Sequence, residues 1–374
     1  MPLEVLDSLA GVDPAQWNAL AGASPPLQHA FLHALHESGA ASPATGWVPR
    51  YLVARREGQL VGAVPAYEKH HSWGEFVFDW AWADAYRRQG QAYYPKLVVA
   101  VPFTPVPGPR ILARDPAVRQ ALVDGLESLR ARLDASSVHV LFPPEDDAAL
   151  LQEAGYGLRE GVQFHWHNAG YPDFEAFLAS LNHDKRKKIR QERRRVREAG
   201  ITFEWRTGAD IRERDWHFFE RCYHATYRQH GATPYLNLDF FLRIGRTMGQ
   251  QLCLILACRE GEPIASALNL WNAQRACGRY WGALEYVPGL HFETCYYQSI
   301  AFCIAHGIGV FEGGAQGEHK LARGLMPVRT VSLHRMADAR FDQAVSGFLR
   351  REALGIEHYR QELEEHGPFR KTTE

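Results

Sequence analysis

The tripeptide Arg56-Glu57-Gly58 recurs as Arg259-Glu260-Gly261, and the two surrounding passages are organised alike. Each has helices first, then an apolar strand (Trp47 to Ala54; Leu252 to Cys258). The Arg-Glu-Gly turn, a returning strand (Leu60 to Tyr67; Ile264 to Trp271), a further strand and a helix follow. A glycine-bearing turn between two apolar runs predicts a β-hairpin. Repetition on this scale predicts two copies of one domain rather than a short-period solenoid. The mixed order of helices and strands predicts an α+β (mixed α/β) domain, with a mostly antiparallel central sheet flanked by helices. At 374 residues the chain has room for two such domains. The boundary is expected between Gly161 and Pro172, giving domains 1–165 and 166–374.

Around the hairpins, Asp13-Pro14 predicts a helix start, with the aspartate as cap and the proline in the first turn. Gly74 to Trp80 alternates polar and apolar residues, and Pro102 to Arg110 is too proline-rich for regular structure. Aromatic residues beside Asp79, Lys96 and Arg110 line a pocket or form a packed rim with exposed charges; the residues alone leave both open. Helices are expected at 117–133, 213–229, 238–248, 291–306 and 344–364. In the helix 291–306, Phe292, Cys295, Ser299, Phe302 and Cys303 form one stripe, read as core.

Between Lys185 and Arg197 there are nine basic residues and one acid, in a helix that stops at Gly200. It is either a solvated surface helix or a phosphate-reading one, and the charge excess favours an anionic partner. The net charge of −1 supplies no global field to recruit nucleic acid or a membrane, so any such attraction is local. The six cysteines form no Cys-x-x-Cys pair and several sit in apolar runs. Reduced thiols in a cytoplasmic protein are expected, without disulfides and without a metal. No secretory leader is expected, since the amino terminus lacks a basic start followed by an apolar core, and no membrane span, since no apolar run has the length required.

The chemistry-bearing residues crowd between Tyr280 and His334. Glu285 and His291 flank one loop, and Val310 to Lys320 reads Val-Phe-Glu-Gly-Gly-Ala-Gln-Gly-Glu-His-Lys. Charges, imidazoles and glycines at strand ends suit a site better than a core.

In Gly74 to Asp79, Tyr93 to Leu97, Pro102 to Pro105, the basic helix, His291 to Tyr297 and Gly314 to Lys320, the sequence resembles the FemAB-like predicted N-acyltransferases. This is the peptidoglycan biosynthesis/recognition group, taken to hold two domains of the GNAT acyltransferase fold. The resemblance implies a bacterial enzyme moving an acyl or aminoacyl group to an amine, with a cell-wall precursor as acceptor and acyl-CoA or aminoacyl-tRNA as donor. Such transfer needs a base for the amine and a partner for the developing oxyanion. Glu285, His291, Glu312 and His319 are the candidate bases. Substrate-binding positions are Asp79, Tyr94, Lys96 and Thr104 in the first half, then Lys185, Arg186, Arg190, Tyr280, Gln316, Lys320 and Arg323 in the second. One departure stands out. Where GNAT enzymes carry a glycine-containing loop around the CoA pyrophosphate, this chain has Glu285-Tyr286-Val287-Pro288-Gly289-Leu290-His291, with a single glycine. Fem enzymes also lack that loop and use aminoacyl-tRNA. The competing reading is a non-catalytic module that binds RNA or another polyanion through residues 185–197.

Overall fold

Both Arg-Glu-Gly turns are two-residue hairpin loops with left-handed backbone. Glu57 and Gly58 have φ of 51° and 78°, and Glu260 and Gly261 have 53° and 84°. Two successive positive φ angles match the twist of the flanking strands, which is why glycine stands second in each. The first loop joins Tyr51–Arg56 to Gln59–Val64, and the second joins Leu252–Arg259 to Glu262–Trp271. Each hairpin is irregular at the same step: pairing shifts after Ala54 in one and after Ala257 in the other. Shared turn geometry and a shared bulge position are the structural trace of the repeat.

The computed structural model describes residues 2–315 and 317–370. The chain divides into two compact units. One holds the residues up to Gly161 together with Arg329–His358; the other holds Val162–Val328 and the segment from Tyr359. The sequence reading assigned 166–374 to one block, whereas residues 329–358 pack with the first unit. The physical reason is a strand: Ser332 to Met336 pairs antiparallel with Ser137–Leu141, and Leu333 is fully buried there.

In the first unit the returning strand breaks at Pro65 and continues as Ala66–Lys69, which pairs antiparallel with Lys96–Val99. Lys96–Val99 then pairs parallel with Ser137–Leu141. In the second unit Glu262–Trp271 pairs antiparallel with Arg275–Ala283, which pairs parallel with Val310–Glu312. The same order appears twice: a hairpin, an antiparallel third strand and a parallel fourth. A parallel pair needs a long crossover. Helix Pro116–Arg132 lies in the first crossover, and the helical stretch from Leu290 to Ala305 makes the second. The first core gathers Leu52, Val64, Leu97, Val99, Leu122, Leu126 and Val138. The second gathers Trp166, Phe177, Ile255, Tyr297, Ile300 and Phe311.

Helices Glu213–Gln229 and Leu238–Met248 have the expected ends, while the last helix runs longer, from Ala339 to Glu365. The alternating stretch Gly74 to Asp79 is a loop. Left-handed backbone at Gly74 and Phe76 breaks any pleat, and Glu75 turns inward to Lys96. Residues 80–88, not among the expected helices, form one, with Trp82 and Tyr86 buried one turn apart. In the second crossover, residues Glu293–Tyr297 form a π-turn inside the helix. Such widened turns recur at functional sites. Here it brings Glu293 and Gln298 together, amide to carboxylate, at 2.8 Å.

Candidate active site

In the second unit the parallel ladder between Arg275–Ala283 and Val310–Glu312 ends at the pair Cys277 and Glu312. Beyond it Arg275–Ala283 bulges opposite Leu268 and Asn269, and the other strand turns away at Gly313. A cavity of about 90 Å³ opens at this parting, lined among others by Gly278, Tyr280, Trp281, His291, Tyr296 and Gly313. At about 30 Å³ per water, it has room for a group of a few heavy atoms.

Lys320 stands beside this opening. Its side chain is nearly fully buried, with Cε 3.5 Å from where a side chain on Gly313 would begin, and Nζ donates to the Gly314 carbonyl at 3.0 Å. Burial and then the Arg279 charge lower its pKa to about 8, so it remains mostly cationic at neutral pH. His291 is pushed down to about 4 by burial, then by His319, Arg323 and Lys320. His319 is also lowered, by burial and by Arg323 and Lys320, so both imidazoles are neutral acceptors near pH 7. The Tyr296 hydroxyl and His319 Nε2 lie 3.1 Å apart. Arg323 is buried, stacks 3.4 Å above the Phe292 ring, and donates to the His319 carbonyl at 2.7 Å. The Lys320 ammonium, two neutral imidazoles and a small cavity can hold a negative oxygen and accept a proton.

Of the predicted site residues, Tyr280, His291, Glu312, His319, Lys320 and Arg323 belong to this region. Glu312 is buried at the strand end. Burial raises its pKa against the pull of Arg275, with which it pairs. The Cys277 thiol is a further neighbour of the carboxylate and helps hold its pKa down. It is therefore a paired charge rather than a solvent-reached base. Glu285 lies apart from the others, half-exposed at the hairpin end and paired with Arg259. Gln316 lies outside the described residues.

Asp79, Tyr94 and Lys96 meet in the first unit. Lys96 is fully buried, and Nζ bonds Ser72 Oγ and Glu75 Oε2 at 2.8 Å each, and Asp79. Burial opposes its charge, but Glu75 and Asp79 outweigh that and raise its pKa. Glu75 is pushed up to about 7 by burial, against the pull of Lys96. Tyr93 donates to Asp79 at 2.6 Å and lies 3.1 Å from His139, whose Nδ1 is 2.6 Å from that of His334. Of the two arrangements left open for these residues, a rim with exposed charges is not found: Lys96 and its two carboxylates are buried together. Arg110 is buried too, bonded to the carbonyls of Leu141, Val106, Gly108 and Pro109. Tyr94 bonds Ser72 at 2.8 Å, and Thr104 donates to the Pro102 carbonyl, outside this cluster.

The basic run is helix His183–Glu198, capped by Asn182, whose side chain accepts from the Lys185 amide at 3.0 Å. Only Ile189 and Val196 are buried in it. Beside it runs a groove of about 780 Å³, walled by Arg186, Lys187, Arg190, Arg193, Arg194 and Arg197 and floored by Phe203, Glu293 and Gln298. Arg190 pairs with Glu175, and Arg193 with Glu293. Lys185 faces a different hollow of about 400 Å³, with Glu318 and Tyr359.

The sequence profile of the family described as peptidoglycan biosynthesis/recognition matches residues 8–371. The chain belongs to the FemAB-like family. Among solved structures it is similar to FemX, at 12% identity over 92% of this chain and 100% of that one, with a TM-score of 0.57. It is also similar to L-PGS from Bacillus licheniformis, at 12% identity over 90% of this chain and 97% of that one, TM-score 0.53. A tandem GNAT protein from the clavulanic acid biosynthesis pathway matches at 13% identity over 90% and 99% of the two chains, TM-score 0.46. A search of curated proteins found no match. The two units of this FemAB-like chain repeat one strand order, and the chain shares its fold with FemX. Among the described residues no helix is long and apolar enough to cross a membrane, and no cluster of His, Cys, Asp and Glu has metal-holding geometry.

Some residues of the site escaped the sequence reading. Asn269 donates to Ser299 at 2.9 Å, both buried beside the parting. Their signal was present: one amide in an apolar strand, one hydroxyl in an apolar helix stripe. Arg275, Cys277 and Arg279 carried no signal short of the fold that gathers them.

Proposed function

We propose that the second unit is the transfer centre of an N-acyltransferase, moving an acyl or aminoacyl group from a carrier to an amine on a peptidoglycan precursor. The observation that carries this is Lys320, buried and cationic beside the cavity where the two parallel strands part. The reacting carbonyl sits in the cavity near Lys320. The neutral amine attacks, a carbon–nitrogen bond forms, and the carbonyl oxygen takes the negative charge, which the Lys320 ammonium stabilises. His319, neutral and open to solvent, accepts the amine proton. The carbon–oxygen ester bond to the carrier breaks, and that proton goes to the departing hydroxyl. His291, whose pKa burial lowers to about 4, shapes the cavity wall against Trp281 and Tyr296. Glu312 holds Arg275.

For the donor we favour aminoacyl-tRNA over acyl-CoA. The passage before His291 does not fit a CoA pyrophosphate. Pro288 has no N–H, and the Leu290 N–H is already given to the Val287 carbonyl at 3.1 Å. The basic groove suits a phosphodiester chain, and Lys185, Arg186 and Arg190 are assigned to anion contacts along that helix. Asp79 and Lys96 serve the first unit as a buried structural network rather than as direct substrate contacts, while Tyr94 remains reachable at its edge.

The experiment is transfer of a labelled aminoacyl group from bulk aminoacyl-tRNA, or of acetyl from acetyl-CoA, to an amine-bearing muropeptide precursor. Lys320→Met is expected to lower kcat by roughly a hundredfold, the size of losing one oxyanion donor. The polyanion-binding module rests on the same groove. It takes over if tRNA binds in a salt-sensitive way while no donor supports transfer and Lys320→Met changes nothing.

A further inference from the structure

The single acid in the basic run, Glu192, does not neutralise its neighbours. It shares a face with the two buried residues of the helix, Ile189 and Val196, at helical spacings of three and four. From there both of its oxygens accept from Arg323 Nη2, at 3.1 and 3.2 Å, and Oε2 also accepts from the Tyr297 hydroxyl. Arg323 is 3% exposed, and Glu192 is the one carboxylate in its ion pairs among the described residues. Through Nη1 the same guanidinium holds the His319 carbonyl. A buried guanidinium with one carboxylate partner is fixed by that partner, because its alternative is an uncompensated charge. His319 and Lys320 are adjacent on the short 3-10 helix Glu318–Arg323, so whatever fixes Arg323 fixes them.

We propose that Glu192 is a positioning residue: it docks the inner face of the basic helix onto Arg323 and so sets His319 and Lys320 at the cavity. The inference rests on the transfer reading above. The helix then has two separate duties, with cations facing the groove and one carboxylate facing the site. Loss of Glu192 leaves the groove cations in place, so it is expected to spare donor binding and harm turnover.

The test is Glu192→Gln, which keeps shape and removes charge, beside Glu192→Asp, which keeps charge and shortens reach. Two readouts are taken: steady-state kinetics with aminoacyl-tRNA, and hydrogen–deuterium exchange over residues 317–325. Expected for Glu192→Gln is a kcat lower by roughly a hundredfold, as for a misplacement of about 1 Å, with KM for the tRNA donor within about twofold. Exchange over 317–325 quickens while strand Leu252–Arg259 keeps its protection. Glu192→Asp recovers part of kcat. Wild-type kcat with unchanged exchange overturns the inference, and so does a rise in donor KM alone, which would place Glu192 in the groove. If Glu192→Gln does not fold, Glu192→Asp decides by the same split. If the wild-type protein transfers nothing, the transfer reading fails, and the exchange readout still decides whether Glu192 holds the Arg323 turn.

Discussion

Replacing Lys96 by methionine removes one charge from the inside of the first unit and leaves two of the opposite sign. The ammonium bonds Ser72, Glu75 and Asp79, and its side chain is fully buried. Glu75 and Asp79 are 4% and 2% exposed, and each already has one oxygen without a partner. Breaking a buried pair by removing one member costs about 3–5 kcal/mol. At about 2–4 °C per kcal/mol for a domain of this size, Tm should fall by roughly 6–20 °C at pH 8. The pH dependence has a definite sign. Glu75 titrates at about 7 with Lys96 present, above its ordinary value, and without Lys96 it rises further. A carboxyl with a raised folded pKa stabilises fully below its unfolded pKa and loses that contribution as pH rises through the folded one. The loss in Lys96→Met should therefore be largest at pH 8 and shrink toward pH 5.5, where Glu75 takes a proton. Calorimetry or urea unfolding at pH 8, 7 and 5.5 measures both. A loss under about 1 kcal/mol, or one independent of pH, would show that the lysine does not neutralise buried carboxylates, and the reasoning would fail.

Three further outcomes are expected. Gly282→Ala places a methyl 1.9 Å from the Cys222 carbonyl oxygen. It should cost about 3 kcal/mol by overpacking helix Glu213–Gln229 against its strand, read by urea unfolding. For the Lys320 ammonium, kcat at saturating acceptor should fall as pH rises through about 8, and Lys320→Arg should move that limb upward; a profile flat to pH 10 would remove the lysine from the chemistry. Changing Arg186, Arg190 and Arg194 together to glutamine should weaken tRNA binding and reduce the slope of log K against log salt by about 2–3. An unchanged slope in a salt titration would place the nucleic acid elsewhere.

Local signals carried most of the fold. The Glu-Gly pair supplied both hairpins, because a two-residue loop needs the backbone that glycine adopts without cost. Asp13 marked a helix start through its own hydrogen bond to the next turn, whereas the Asn182 cap of the basic helix was not read. What stayed hidden depended on distance in sequence. The return of Arg329–His358 to the first unit is fixed by pairing with Ser137–Leu141, almost two hundred residues earlier. Gly74 to Asp79 alternated like a strand, yet Glu75 is drawn inward by Lys96, a partner twenty-one residues away. In the site, His291, His319, Lys320 and Arg323 were legible because charges at a strand end are costly unless used. Glu285 was not distinguishable from them, since nothing local reveals that Arg259 is its partner. Glu192 was visible as an exception within a basic run, but its direction followed only from the face shared with Ile189 and Val196.

The divided first unit also imposes an order in time. Its sheet lacks the strand Ser332 to Met336 until the ribosome has made all of Val162–Val328. At about 5–20 residues per second, that is a wait of roughly ten to thirty seconds. During this interval strand Ser137–Leu141 has an open edge. The second unit closes later still, because Leu363 of its core follows Ser332 to Met336 in the chain, so neither unit is complete before the other's last segment is near.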